Sequence, residues 1–111
     1  LRVVPAESVR GHARLPVVAR PGGGVERLAW SPVARTDDDR SIAIVVNLSA
    51  QGAASVEQVR LRADESEVRI AVYGTKIPPG TPRTMLSVVG EFMIDLGEEL
   101  RGRRVLDDPG A

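Results

Sequence analysis

Acyl-transfer chemistry of the serine–histidine kind needs a histidine to carry a proton, and this chain has one, His12. Ser8 lies four residues earlier, a spacing that brings two side chains together on a helix. Pro5, Pro16 and the Pro21-Gly22-Gly23-Gly24 break around them indicate no helix, so His12 reads as a surface histidine rather than a general base. One histidine and no cysteine also exclude histidine-based and thiolate zinc sites, disulfides and thiol catalysis. Asp37-Asp38-Asp39 offers carboxylates to Ca²⁺, but neighbours in an extended chain point in alternate directions and the spaced D-x-D-x-D-G loop is absent. A solvated turn is the expectation there. Gly22–Gly24 and Gly74-Thr75-Lys76 carry glycine as phosphate loops do, yet neither completes G-x-x-x-x-G-K-[ST]. Glu91 and Asp95 share a face if their segment is a strand, which leaves open a glycosidase-like carboxylate pair. No aromatic platform for a sugar accompanies them. The sequence therefore implies no catalytic residue, no cofactor and no metal ligand.

The remaining candidate is a binding surface. Arg60, Arg62, Arg69 and Tyr73 fall on one face of a hairpin expected over Val59–Tyr73, with Arg62 directly opposite Arg69. Like charges facing each other across a ladder oppose folding by up to about 1 kcal/mol, so local stability does not account for them. Such a broken rule marks a candidate functional surface whose partner is acidic. The competing reading is that Glu57, Asp64 or Glu67 neutralises the cluster. Arg101-Gly102-Arg103-Arg104 is a second basic run, but Glu98-Glu99 and Asp107-Asp108 flank it, so local salt bridging is expected.

The elements that must position these residues are strands. In Val59–Tyr73, Val59, Leu61 and Ala63 share one face of a first run and Val68, Ile70 and Val72 share one face of a second, the period of two that a half-buried strand requires. The register that keeps all six on one side pairs Ala63 with Val68, Leu61 with Ile70 and Val59 with Val72. Asp64-Glu65-Ser66-Glu67 holds no glycine or asparagine for the positive φ angles of a type I′ turn, which predicts a four-residue loop on a type I turn. Ser41–Leu48 is a second strand, with Ile42, Ile44, Val46 and Leu48 on one face and a mixed face opposite, as in a central or covered strand. Arg27–Arg35 places Leu28 and Trp30 on one face, and Ser31-Pro32 is expected to end it. Ser49–Ser55 reads as a small-residue loop, and Pro78-Pro79-Gly80 and Pro82 make Gly74–Arg83 irregular.

Leu86–Leu96 fits two periods. As a strand it lines Leu86, Val88, Phe92, Ile94 and Leu96 along one face, with Gly90 at a bulge or bend. As a helix capped by Thr81-Pro82 it aligns Met85, Val88, Val89, Phe92, Leu96 and Leu100, at about 1 kcal/mol for each of Gly90 and Gly97. The strand is the expectation because it supplies a packing partner for the other strands. Arg103–Leu106 is a short final strand. Residues 1–24 form a flexible segment with an edge strand at Leu15–Ala19, and the folded domain spans 25–111.

Composition sets the outer limits. The 111 residues suffice for one domain, and with aromatics at 3% its core must be aliphatic. Fifteen basic against fifteen acidic residues give a formal net charge of zero, which argues against nucleic acid as partner. No run of eighteen apolar residues spans a bilayer. Lys76 is the sole lysine beside abundant arginine, alanine, glycine, proline and valine, a bias matching a GC-rich genome. The chain opens on Leu1 rather than Met, and an upstream segment such as a signal peptide or lipid anchor is expected before it.

The run Ile94–Asp107, with Asp95-Leu96, Leu100, Gly102, Arg103 or Arg104, Val105-Leu106 and Asp107, resembles a late-strand pattern of small exported proteins and lipoproteins of actinobacteria. Trp30-Ser31-Pro32, followed by an aspartate-rich turn and an aliphatic strand, fits the same layout. The resemblance spans roughly 27–108, and departs from the pattern at Glu99, where proline is common, and in lacking the cysteines of some relatives. It implies an extracytoplasmic sandwich, secreted or membrane-anchored, and no activity. The expectation is an all-β, immunoglobulin-like two-layer antiparallel sandwich of about seven strands. Its function is expected to be non-enzymatic binding of an unknown protein or acidic envelope component. A small carboxylate-dependent hydrolase and a cytoplasmic assembly subunit are the alternatives.

Overall fold

The alternation of apolar and polar residues resolves into strands throughout the computed structural model, which describes residues 2–4, 13–80 and 88–108. Nine strands run in order as β1 (Arg2–Val4), β2 (Ala13–Arg14), β3 (Glu26–Leu28), β4 (Ser31–Thr36), β5 (Ser41–Asn47), β6 (Ala53–Ala63), β7 (Glu67–Lys76), β8 (Val89–Asp95) and β9 (Arg104–Asp107), with one helical turn, α1 (Leu48–Gln51). One sheet has the order β1-β4-β5-β8-β2 and the other β3-β7-β6, with β9 also on β7. Ile42, Ile44, Val46 and Ile94 from the first sheet meet Leu28, Val59, Val68, Ile70 and Val72 from the second in one aliphatic core. The all-β sandwich expected from the sequence is present. Among the described residues there are nine strands where about seven were expected, and the sheets are mixed rather than antiparallel, because β1 on β4, β2 on β8 and β9 on β7 pair in parallel.

The hairpin has the expected register, Ala63 with Val68, Leu61 with Ile70 and Val59 with Val72. Its turn closes without a positive φ angle at any of Asp64–Glu67. The Asp64 carboxylate instead accepts from the Ser66 and Glu67 amides at 2.8 and 2.9 Å, satisfying donors that the tight turn orphans. These backbone donors hold the Asp64 pKa below the usual carboxylate value. Both strands run further than the pattern indicated: β6 starts at Ala53, and β7 continues through Gly74 to Lys76. Two register shifts in β6, between Ala53 and Ser55 and between Val56 and Gln58, bend it around Gly74.

The expected loop after β5 is partly helical. Asn47 accepts from the Ala50 amide at the N-terminus of α1, and Gly52 at φ 64° ends it. Ser31-Pro32 begins β4 rather than ending a strand. Among the described residues β1 pairs with β4 over Ala34–Thr36, so Pro32 lies outside that ladder, where a missing N–H is tolerated. Leu86–Leu96 yields β8, Val89–Asp95, with no register shift against β5, so Gly90 is not a bulge. The Phe92 ring packs over it: a Cβ at Gly90 would lie 2.6 Å from Phe92 Cε2. Ile94 is buried and Phe92 half-buried, whereas Val88, expected inside, is 43% exposed; Leu86 and Met85 lie outside the described residues. The final strand is Arg104–Asp107, close to its expected place.

The N-terminal region takes part in both sheets. β1 and β2 form the two edges of the five-stranded sheet, Leu15 is buried in the core, and Val17 bridges Val59 of β6. The edge strand expected at Leu15–Ala19 is thus displaced to Ala13–Arg14, next to a single bridge. His12 and Ser8 lie outside the described residues.

The Thr36–Arg40 turn is solvent-exposed at Asp37, Asp38 and Arg40, as expected, and it also serves as a joint. Asp38 accepts from the Thr36 hydroxyl and the Arg40 amide, which together lower its pKa. Asp39, at φ 63°, accepts through its backbone carbonyl from the Leu100 amide at 2.9 Å and through its carboxylate from the Arg101 amide at 2.8 Å. These bonds seat the fully buried Leu100.

Candidate interaction surface

Residues on the face of β6 and β7 opposite the core form the arginine cluster. In the ladder Arg62 is opposite Arg69, Arg60 opposite Ala71 and Gln58 opposite Tyr73, so the four expected residues share one face. Arg27 of β3 joins them, opposite Tyr73 on the far edge of β7. The structure therefore brings Arg60, Arg62 and Arg69 together. Tyr73 differs from expectation: it is only 4% exposed and takes no part in the accessible surface. The physical reason is the chain's path. Pro16–Val18 lies along β6 and β3 lies across β7, so the intervening residues must cross the hairpin, and the Gly22 amide donating to Gln58 Oε1 at 2.9 Å puts that crossing on the arginine face.

Burial leaves the Tyr73 hydroxyl without a hydrogen-bond partner among the described residues. An unsatisfied buried hydroxyl costs about 1–3 kcal/mol. Tyr73→Phe is therefore expected to melt at or a few degrees above the parent temperature. A lower melting temperature in calorimetry would reveal a bond that the hydroxyl makes in solution.

Two carboxylates neutralise the cluster in part. Glu67 takes the Arg69 guanidinium side-on, with Nε donating at 2.7 Å and Nη2 at 2.6 Å, which raises the Arg69 pKa above its ordinary value. Asp108, fully buried, lies 3.6 Å from Arg60 Nη2 and 3.5 Å from Arg62 Nη1. Of the three acids expected as counter-charges only Glu67 pairs with this cluster, and Asp108 is the one sequence reasoning missed. Its signal was available: Val105-Leu106 reads as a strand, so the acids immediately after it had to lie against the same sheet. Asp107 does so as well, accepting from Arg27 Nη2 at 2.5 Å and Trp30 Nε1 at 3.1 Å.

Arg62 remains the least committed of the three. Its side chain is 57% exposed and its ion pair with Asp108 is long. Arg62, Ala63, Asp64 and Arg69 line a small cavity of about 160 Å³ at the turn end of the hairpin. Two guanidinium groups beside a concavity can hold a carboxylate or another planar oxyanion, because each presents a fork of N–H donors.

The other candidates separate. Glu91 and Asp95 are paired with Val45 and Ser41 on the five-stranded sheet, four residues apart along one strand, or roughly 13 Å. Arg103 pairs with Glu98 at 3.1 Å and donates to the carbonyls of Leu100, Asp64 and Glu99, while Arg101 pairs with Glu99 at 3.8 Å. Local salt bridging thus accounts for this basic run. Glu65, Glu98, Glu99, Arg101 and Arg103 line a larger cavity of about 330 Å³. Among the described residues no cluster of His, Cys, Asp or Glu is arranged to hold a metal ion, and no helix is long and apolar enough to cross a membrane. No family model, curated protein or solved structure matches this chain.

Proposed function

We propose that this chain is a non-enzymatic binding domain, exported or envelope-associated, that docks an acidic group of a partner protein or other envelope component on the outer face of the β6–β7 hairpin. The observation that carries the reading is Arg62 beside Arg69 at a small cavity, with Arg62 exposed and held, among the described residues, by a long ion pair. The exported setting draws on the resemblance of 27–108 to small actinobacterial envelope proteins. The immunoglobulin-like class belongs to the same proposal, supported by two packed sheets with an aliphatic core between them. Catalysis has one observation in its favour, the cavity lined by Glu65, Glu98 and Glu99, which a carboxylate-dependent hydrolase would use.

The test is capture from envelope extract with the parent and with the Arg62→Glu/Arg69→Glu variant. The parent is expected to retain partners that are released as salt rises, since exposed charge pairs are screened over about 10 Å at 0.1 M. The double variant is expected to lose those partners without losing its fold. Equal retention by both proteins at low salt sinks the proposal.

A further inference from the structure

We infer that the free edge of β6 at Leu61–Ala63 takes up an extended acidic segment of the partner as an added strand. The inference rests on the reading of Arg62 and Arg69 as an acid-binding surface, and adds the backbone geometry that recognises the ligand. β6 is an edge strand of its sheet. Val59 turns both backbone groups away from β7: its amide donates to the Pro16 carbonyl at 2.9 Å, and its carbonyl accepts from the Val18 amide at 2.8 Å. Inward and outward groups alternate along a strand, so Leu61 and Ala63 direct theirs the same way. The Asp64 amide, bonded across the hairpin to the Glu67 carbonyl at 3.0 Å, confirms the parity.

The edge is already used as a template at one position. Pro16–Val18 runs parallel to β6, then bends away at Ala19–Arg20, and Pro21 has no N–H to continue the ladder. Leu61 and Ala63 beyond it carry outward amides and carbonyls with no partner among the described residues; Leu61 is half-buried and Ala63 exposed. A strand laid here presents alternate side chains to the two faces. Those on the outer face fall beside Arg60 and Arg62, within about 5 Å. Those on the inner face fall beside Leu61 and in line with Val17, which is 47% exposed. The fitting ligand alternates acidic and apolar residues. A second copy pairing through the same edge would instead set its own Arg60 and Arg62 against these, which like-charge repulsion opposes.

The experiment uses the full chain and a fluorescent peptide of about eight residues alternating Glu and Val, titrated at low salt. Ala63→Pro removes one outward N–H and no bond of the β6–β7 ladder. It is expected to melt near the parent and to bind at least about tenfold more weakly. The same peptide N-methylated on alternate residues is expected to lose binding to the unmodified protein by a similar factor, a readout independent of how the variant folds. Arg62→Glu is expected to weaken the unmodified peptide as well.

Equal binding of the methylated and unmodified peptides overturns strand addition, and leaves the arginine surface standing if Arg62→Glu still weakens both. Binding that survives Arg62→Glu/Arg69→Glu overturns the acid-specific reading and this inference with it. No binding of the peptide to the parent, or a parent dimer in sedimentation that Ala63→Pro dissociates, overturns the inference alone.

Discussion

Gly74→Ala is expected to lower the melting temperature by more than about 10 °C. A Cβ at Gly74 would fall well inside contact distance of the Ser55 backbone carbonyl and 2.8 Å from Leu28 Cδ1. Overpacking in a core typically costs about 1–3 kcal/mol, and most of that range assumes side chains that can turn aside. Here the obstacle is backbone, held by the two register shifts of β6, so at least about 3 kcal/mol is expected. That is a large share of the 5–15 kcal/mol by which domains of this kind are stable. Gly23→Ala is the control: a Cβ there meets nothing within 4 Å, and the variant should melt with the parent. Thermal melts followed by circular dichroism decide it, and a Gly74→Ala protein melting with the parent would mean that β6 does not bend around this residue.

Truncation after Arg101 is expected to abolish a cooperative melt rather than to remove a ligand site selectively. The lost residues include the parallel ladder from Glu67 with Arg104 to Ile70 with Asp107. They include Arg103, whose guanidinium donates to the backbone carbonyls of Leu100, Asp64 and Glu99. Asp107 leaves Arg27 and Trp30 without their shared carboxylate, and Asp108 leaves Arg60 and Arg62 facing Arg69 with Glu67 as the remaining counter-charge. Breaking one buried charge pair by removing a partner can cost about 3–5 kcal/mol when both ions are buried, and less here because the arginines are partly exposed. The strand and cap losses add to it. Urea titration is the measurement, and a truncated chain with an unchanged midpoint would make the tail a detachable motif.

How much of this was legible in the sequence depended on how local the cause was. The hairpin register was readable because six apolar residues at period two admit one pairing that buries them together, and Asp64–Glu67 limits the turn. β8 was readable as a strand over a helix because Gly90 and Gly97 weigh against a helix, although the role of Gly90, a floor for the Phe92 ring, was not. Arg60, Arg62 and Arg69 were placed on one face by the same periodicity. What escaped was set by distant chain. Tyr73 is buried by a crossing between β6 and β3, and Asp108 reaches the arginines only because β9 joins β7 in parallel. Pro32 looks like a terminator until the described β1–β4 ladder is seen to lie beyond it, at Ala34–Thr36, and Gly74 looks like loop chemistry until β6 is seen to bend against it.

One edge of β7 is shared end to end by two short strands, β3 against Val72–Gly74 and β9 against Glu67–Ile70, with Trp30 donating to the Ile70 carbonyl and to Asp107 at their junction. During synthesis on the ribosome these two halves become available far apart in time. β3 is made before β7, whereas β9 follows it only after residues 77–103. Until Asp107 has emerged, the N-terminal half of β7 presents bare amides and carbonyls beside Val68 and Ile70. Nascent chains of this protein therefore expose a sticky strand edge until β9 is made, an interval in which chaperone capture or pairing between neighbouring nascent chains competes with folding. Long-range parallel closure is also slow, so the final docking of β9 sets the pace at which that exposure ends.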